Sequence, residues 1–218
     1  MEGTSLALGA PIGRREDNKR RKREALHAAG LHVFGEVGFE AASIEQIVQR
    51  ADMARGTFYL YFPDKLALFQ HLMGRFFEPL EQIFQETSRS LRDAQHPTEV
   101  YAAYRHMTTQ LAATGLAHSA EILVAFREAR QPGEAGAWLR RRERALIEQA
   151  VAFTVEVSDR GLLQVANPRV ACLVVYGAVE RLFYEVLTGQ DLGPPDRLAA
   201  DVLSLFGQAM GLGLSTSA

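Results

Sequence analysis

The sequence predicts an all-α chain, a small three-helix domain followed by a larger helical bundle, and three observations carry that prediction. Apolar residues recur every three to four positions from Leu26 to near Met210, the period of a helix face. No stretch has the strict alternation of a half-buried strand, and there is no internal repeat. Punctuating residues (Gly38, Pro63, Pro97, the Gln131–Gly136 stretch, Gly161 and Pro168) fall in the gaps between periodic segments. With 218 residues the chain is long enough for a sizeable core in one or two domains.

Residues Met1 to Gly13 are rich in Gly, Ser and Ala with Pro11, a composition expected to be disordered. RREDNKRRKRE follows, in which Arg14, Arg15, Lys19, Arg20, Arg21, Lys22 and Arg23 outnumber Glu16, Asp17 and Glu24. It reads either as a solvated helix extension or as an arm lying along phosphates or in a minor groove. The first globular helix carries Leu26, Ala29, Gly30, Val33, Phe34 and Val37 on one stripe and ends at Gly38. His27 and His32 on it are five apart without partner ligands, so no metal site is expected.

The next stretch, ASIEQIVQRADMARGTFYLYFPDK (Ala42 to Lys65), reads as two short helices around a tight turn. Ile44, Ile47, Val48 and Ala51 form one stripe, with Ser43 ahead of it as N-cap. Asp52 tolerates the left-handed backbone such a turn needs. The second helix is expected from Arg55 to Phe62. At 100° per residue, Phe58 and Phe62 lie within about 40° of each other and define a buried side. Gly56 and Leu60 then face outward, with Thr57 close by and Tyr59 and Tyr61 on the flanks, where phenol hydroxyls reach phosphates bordering a major groove. Pro63 stops this helix and Asp64 caps the next, so Lys65 falls at a helix N-terminus suited to phosphate. The competing reading, a helical hairpin with core aromatics, leaves the tyrosines flanking a Gly-Thr pair and the adjacent basic run without a role.

The order Phe34…Gly38-Phe39, Ile44/Ile47/Ala51, Gly56-Thr57-x-Tyr59-x-Tyr61-Phe62 and then Lys65 resembles the DNA-binding domain of TetR-family transcriptional regulators over about forty residues, 25 to 65. The resemblance implies DNA contacts at Ser43, Arg55, Thr57, Tyr59, Tyr61 and Lys65. Two positions depart from the family pattern: Asp52 stands where Gly is common, and Ala54 where Ser is common at the start of the recognition helix. Ala is the poorer N-cap by typically ~1 kcal/mol. The expected division is a helix-turn-helix domain with its basic arm over 14–66 and a helical ligand-binding and dimerisation domain over 67–218.

From Lys65 a long helix keeps Leu66, Phe69, Met73, Phe76, Phe77, Leu80 and Phe84 in helical period, with a kink possible at Pro79. Val100, Tyr104, Met107 and Leu111 mark another helix, and Ile122, Phe126 and Ala129 a further one. Gln131 to Gly136 is predicted as loop; Leu139, Leu146, Ala150, Phe153 and Val157 mark a helix ending at Gly161. Asn167-Pro168 is an N-cap with Pro at the first helical position, opening VACLVVYGAVERLFYEVLTG, and a last helix is expected from about Pro195 to Met210. These two helices offer more than one apolar face. They are expected to form a homodimer seam through Leu173, Gly177, Leu182, Leu205 and Phe206, four helices meeting as a bundle. TetR-like proteins commonly dimerise this way, so the resemblance agrees.

Polar groups in the apolar pattern of this domain, Tyr104, His106, Arg127, Tyr176, Glu180 and Tyr184, need partners if buried. Tyr104, Arg127, Tyr176, Glu180 and Tyr184, with Met107, Phe126 and Phe153, are the candidate lining of an effector pocket. The formal charge of −2 and pI near 6.3 exclude a chain that coats nucleic acid all round, and confine DNA contact to one region. The lone Cys172 excludes an intrachain disulfide framework and a thiolate zinc cluster, and is expected to be inert core. The longest apolar run, Val170 to Val179, is too short to span a bilayer, and the first dozen residues lack a signal-peptide pattern, so a cytoplasmic protein without membrane association is expected. Six scattered histidines give no catalytic spacing; no enzyme activity, cofactor or metal is expected. The expectation is a repressor on a palindromic double-stranded DNA operator, released by a small-molecule effector. The alternative is an architectural DNA binder that is ligand-independent or controlled by a partner protein.

Overall fold

The computed structural model describes residues 12–209, with the backbone alone at residues 12–14, 195, 196, 199, 206, 208 and 209. The disorder expected over 1–13 therefore lies outside the described residues as far as residue 11. Nine α-helices and no strand occur among the described residues: α1 (Ile12–Val37), α2 (Ile44–Arg50), α3 (Arg55–Tyr59), α4 (Lys65–Asp93), α5 (Pro97–Ala117), α6 (Ser119–Glu128), α7 (Glu134–Asp159), α8 (Pro168–Leu187) and α9 (Pro195–Ala209). The chain forms two compact units that divide at Leu72/Met73, within α4.

The first unit closes on the stripes read from the sequence. Leu26 and Phe34 of α1, Ile47 of α2, Phe58 of α3 and Leu68, Phe69 and Leu72 of α4 are fully buried. Phe34, Phe39 and Phe69 form a triangle of rings with centroids 5.1–5.7 Å apart, within the range of favourable aromatic pairs. Val37, expected on the α1 stripe, is 44% exposed. The helix ends there and the chain turns away at Gly38, which has φ 86°, before α2 can cover it. The basic run is helical, the first part of α1, and residues 15–24 are exposed.

In the second unit, Leu91, Val100, Tyr104, Phe153, Val157 and Leu203 make one core. Helix ends inside it are closed by arginines from distant sequence. The Arg160 guanidinium donates to Leu91 O (2.9 Å), Arg92 O (3.1 Å) and Ala94 O, and so satisfies carbonyls that α4 leaves open at its C-terminus. Arg140 does the same for Ala129 O (2.7 Å) and Gln131 O (2.9 Å) after α6. The predicted Gln131–Gly136 loop is shorter than expected, since α7 already begins at Glu134. Gly136 is not a breaker there: a Cβ at that position would collide with Gln131 O and Glu128 O, so it lets α7 pass the preceding turn. Asn167 caps α8 as expected, accepting from Val170 N at 3.1 Å.

Candidate functional site

The helix-turn-helix is built by local chemistry. Ser43 Oγ accepts from Gln46 N (3.2 Å) while Gln46 Oε1 accepts from Ser43 N (2.8 Å), a reciprocal capping box that starts α2. Asp52 has φ 52°, the left-handed conformation expected of it, and Met53 N returns to Val48 O (2.9 Å). Ala54 opens α3 with no side-chain cap. α3 ends at Tyr59, not at Phe62. Leu60 and Tyr61 tighten into i→i+3 bonds, Leu60 N to Thr57 O (3.2 Å) and Tyr61 N to Phe58 O (2.9 Å), because a residue before Pro63 disfavours the α conformation. The projected faces are nevertheless kept. Phe58 and Phe62 are buried, Gly56 and Tyr59 are exposed, Leu60 is 78% exposed, and Thr57 and Tyr61 are half-buried beside them.

Two basic residues are held by the fold. Arg55 pairs with Glu45 of α2 and donates to Tyr59 Oη at 3.4 Å; the Tyr59 bond first, then Glu45, raises its pKa further. Lys65, expected at phosphate from its place at a helix N-terminus, is engaged within the fold. Its Nζ donates to Phe39 O (2.6 Å), Ala42 O (2.9 Å) and Glu40 O (3.3 Å) and sits 4.4 Å from the Phe39 ring centroid. The carbonyls of the α1–α2 connection lack helical donors, and an ammonium with three N–H groups satisfies them together. Asp64 caps α4 as expected, accepting from Ala67 N at 2.7 Å.

The second unit holds a partly open cavity of ≈ 180 Å³ walled by α4, α5, α6, α7 and α8. Of the eight residues expected to line a pocket, Tyr104, Met107, Phe126, Phe153, Tyr176 and Glu180 do so. Arg127 and Tyr184 do not. Arg127 Nε donates to Glu128 Oε1 (3.0 Å), and Tyr184 lies on the outward side of α8 under the Arg181 guanidinium. Sequence reasoning missed Glu143, Thr154 and Phe183, which also line the cavity, and Cys172, read as inert core, which is only half-buried and borders it. The one available signal for Glu143 was a carboxylate at helical spacing from Leu139, Leu146 and Ala150 within the charge-rich RRRER run.

The polar atoms facing the cavity are paired. Tyr104 Oη and Thr154 Oγ1 are 2.9 Å apart, and the Cys172 thiol donates to Thr154 Oγ1 at 3.5 Å. Burial pushes the Tyr104, Tyr176 and Cys172 groups up, so all three stay neutral. Glu143 bonds Tyr176, and burial raises its carboxyl above the usual range. Glu180 meets Arg130 at 2.5 Å. A second cavity of ≈ 120 Å³ shares Met107, Leu111, Val175, Val179 and Phe183 with the first.

α8 has no buried residue among those described, although it is the most apolar of the long helices. Val170, Leu173, Val174 (64%), Gly177 and Tyr184 face solvent at helical spacing, and Leu205 of α9 is 68% exposed. Leu182, grouped with them from sequence, instead turns inward and lines the second cavity, because it falls about 100° from the exposed stripe. The side chain of Phe206 lies outside the described residues.

The family model for bacterial regulatory proteins of the tetR family matches residues 26–72, the span of the first unit's core. The chain is 33% identical over 81 residues to the HTH-type transcriptional repressor KstR of Mycolicibacterium smegmatis, covering 37% of this chain and 39% of that protein. It is 35% identical over 72 residues to the fatty acid metabolism regulator protein of Bacillus subtilis, covering 31% and 37%. The matches thus span under two-fifths of these curated relatives. Over most of its length the fold is that of solved regulators. The FadR regulator of Bacillus subtilis in complex with stearoyl-CoA superposes with TM-score 0.63 at 17% identity, over 86% of this chain and 98% of that one. NalD, the secondary repressor of the MexAB-OprM multidrug efflux pump in Pseudomonas aeruginosa, gives 0.64 at 18%, over 89% and 98%. Its residues 26–72 are thus similar to the N-terminal domain of the tetR family of bacterial regulatory proteins, and the rest of the chain shares the fold of such regulators.

Proposed function

We propose that the protein is a homodimeric, sequence-specific transcriptional repressor, released from a palindromic double-stranded DNA operator when a small molecule fills the α4–α8 cavity. The observation that carries this reading is the dual use of α4. Its first turns supply Leu68, Phe69 and Leu72 to the core of the DNA-reading unit, and Phe76, Leu80 and Phe84 further along wall the cavity. A ligand that favours one pose of α4 changes the separation of the paired recognition helices, which must match half-sites ~34–36 Å apart. It can shift that equilibrium only by its differential affinity, so a hundredfold preference releases about 2.7 kcal/mol. Gly56, Thr57, Tyr59, Leu60 and Tyr61 face the groove in this reading, with Ser43 and Arg55 at its edge. The exposed stripe of α8 is the seam of the dimer, and the site of action is the cytoplasm. No helix among the described residues is long and apolar enough to cross a membrane.

Sequencing the DNA fragments retained by purified protein tests the reading directly. An enriched inverted repeat is expected, and fragments of random sequence would reject specific regulation. A thermal-shift screen with small molecules then decides between effector control and control by a protein partner. Stabilising hits that also release the DNA are expected; a ligand at a hundred times its Kd adds about 2.7 kcal/mol.

A further inference from the structure

Resting on that reading of the cavity as the effector site, we propose that its effector is a cationic amphiphile, a lipophilic amine or quaternary ammonium, and not an acyl anion. The cavity lining contains two carboxylates, Glu143 and Glu180, and no lysine, arginine or histidine among the described residues. Glu180 is matched by Arg130, which stands outside the lining. Glu143 is held by the Tyr176 hydroxyl, a neutral group, with Arg130 and Arg140 acting on it from farther off. One negative site thus faces the cavity with a neutral hydrogen bond and only distant arginine charge to offset it. Removing a carboxylate from water without a paired cation is costly, and a ligand cation supplies the missing partner.

The remaining walls favour the same ligand. Phe76, Phe84, Phe126, Phe153 and Tyr104 present ring faces or edges to the cavity, and a desolvated cation against such rings gains beyond its apolar contact. Tyr176, Val179, Glu180 and Phe183 follow one another on one face of α8, so the wall that carries the acid also carries the apolar surface for a chain. A carboxylate, phosphate or coenzyme A head would bring negative charge against Glu143 and Glu180 with no basic side chain in the lining to receive it. Stearoyl-CoA, the ligand of the structurally similar FadR, carries such a head.

The chain contains a single tryptophan, and Trp138 stands edge-on to Phe77 of the cavity wall with centroids 5.9 Å apart, which provides an intrinsic reporter. Titration of the full chain, below micellar concentrations, with dodecyltrimethylammonium, dodecanoate and stearoyl-CoA should change Trp138 emission with the cation at least tenfold tighter than with either anion. Glu143→Gln should remove about tenfold of that preference while leaving dodecanoate unchanged or improved; Glu180→Gln serves as the second variant should the first not fold. Anions binding as tightly as the cation, no binding by any of the three, or a preference untouched in both variants would overturn the inference. The same titrations on the protein bound to its selected DNA fragment separate the two ideas. Cation binding that depends on Glu143 but leaves DNA bound upholds the ligand class and rejects effector release.

Discussion

The helix-turn-helix and α8 both carry apolar stripes in a charged chain, yet they end in opposite states. In the first unit each apolar stripe finds its cover within some fifty residues, and even the carbonyls of the α1–α2 connection are closed by Lys65. α8 leaves an apolar stripe open on one side and a cavity on the other. A reader of DNA must be rigid before it meets its target, since base contacts depend on sub-ångström placement of a few side chains. A sensor needs the reverse, surface and volume left for something else to complete.

The largest effect expected from disturbing this contrast is at the open stripe. Leu173→Glu sets like charges across a two-fold seam, a cost of about 3 kcal/mol or more and so over a hundredfold in dissociation constant. Sedimentation equilibrium should find folded monomer with weakened operator binding; an unchanged dimer would move the seam off α8. At the rigid unit, Lys65→Met removes three charge-assisted bonds to carbonyls and should lower stability by about 2 kcal/mol, read as a fall in denaturation midpoint. The salt dependence of DNA binding should stay as it was. A slope reduced by ~0.9 per subunit with stability intact would return Lys65 to a phosphate.

A smaller effect belongs to the exposed Leu60, the apolar residue that follows α3 on its outward side. If it meets a thymine methyl, Leu60→Ala should cost about 1 kcal/mol at that base pair and almost nothing on an operator with cytosine there. Equal losses on both operators would mean that another face of α3 meets the groove. The smallest effect concerns Glu143. Its carboxyl is raised above 4.5 by burial, against the lowering by Tyr176, Arg130 and Arg140 and alongside the raising by Glu180. The folded chain therefore holds this proton more tightly than the unfolded chain, so its stabilising contribution is complete below about 4.5 and is lost as pH rises through the folded value. The melting temperature of Glu143→Gln should gain on wild type between pH 4 and pH 7. A constant difference would mean that Glu143 is solvated in both states.

The sequence made legible what neighbours in the chain decide. The Ser43 box, the left-handed Asp52, the Asn167-Pro168 start and the burial of Phe58 beneath Leu60 all follow from residues within four positions of one another. What it hid is set by partners far away. Lys65 is claimed by carbonyls 23 to 26 residues earlier, and Arg160 by carbonyls 66 to 69 residues earlier. Arg127 and Arg130 are one turn apart on the same stretch, yet it is Arg130 that reaches Glu180, a choice made by where α8 packs. Glu143 sits among arginines that made its position look solvated. Only the approach of α8 carrying Tyr176 turned that position inward.

If the uncovered stripe of α8 is the dimer seam proposed above, it also sets how the cell counts this protein. With that stripe as the seam, a palindromic site is filled by pairs, and below the dissociation constant the number of pairs follows the square of the number of chains. A tenfold dilution of the chain then empties the operator by about a hundredfold, so synthesis and turnover become inputs to the switch alongside the effector. A gene under such control responds to abundance with a threshold that no change in the cavity can remove.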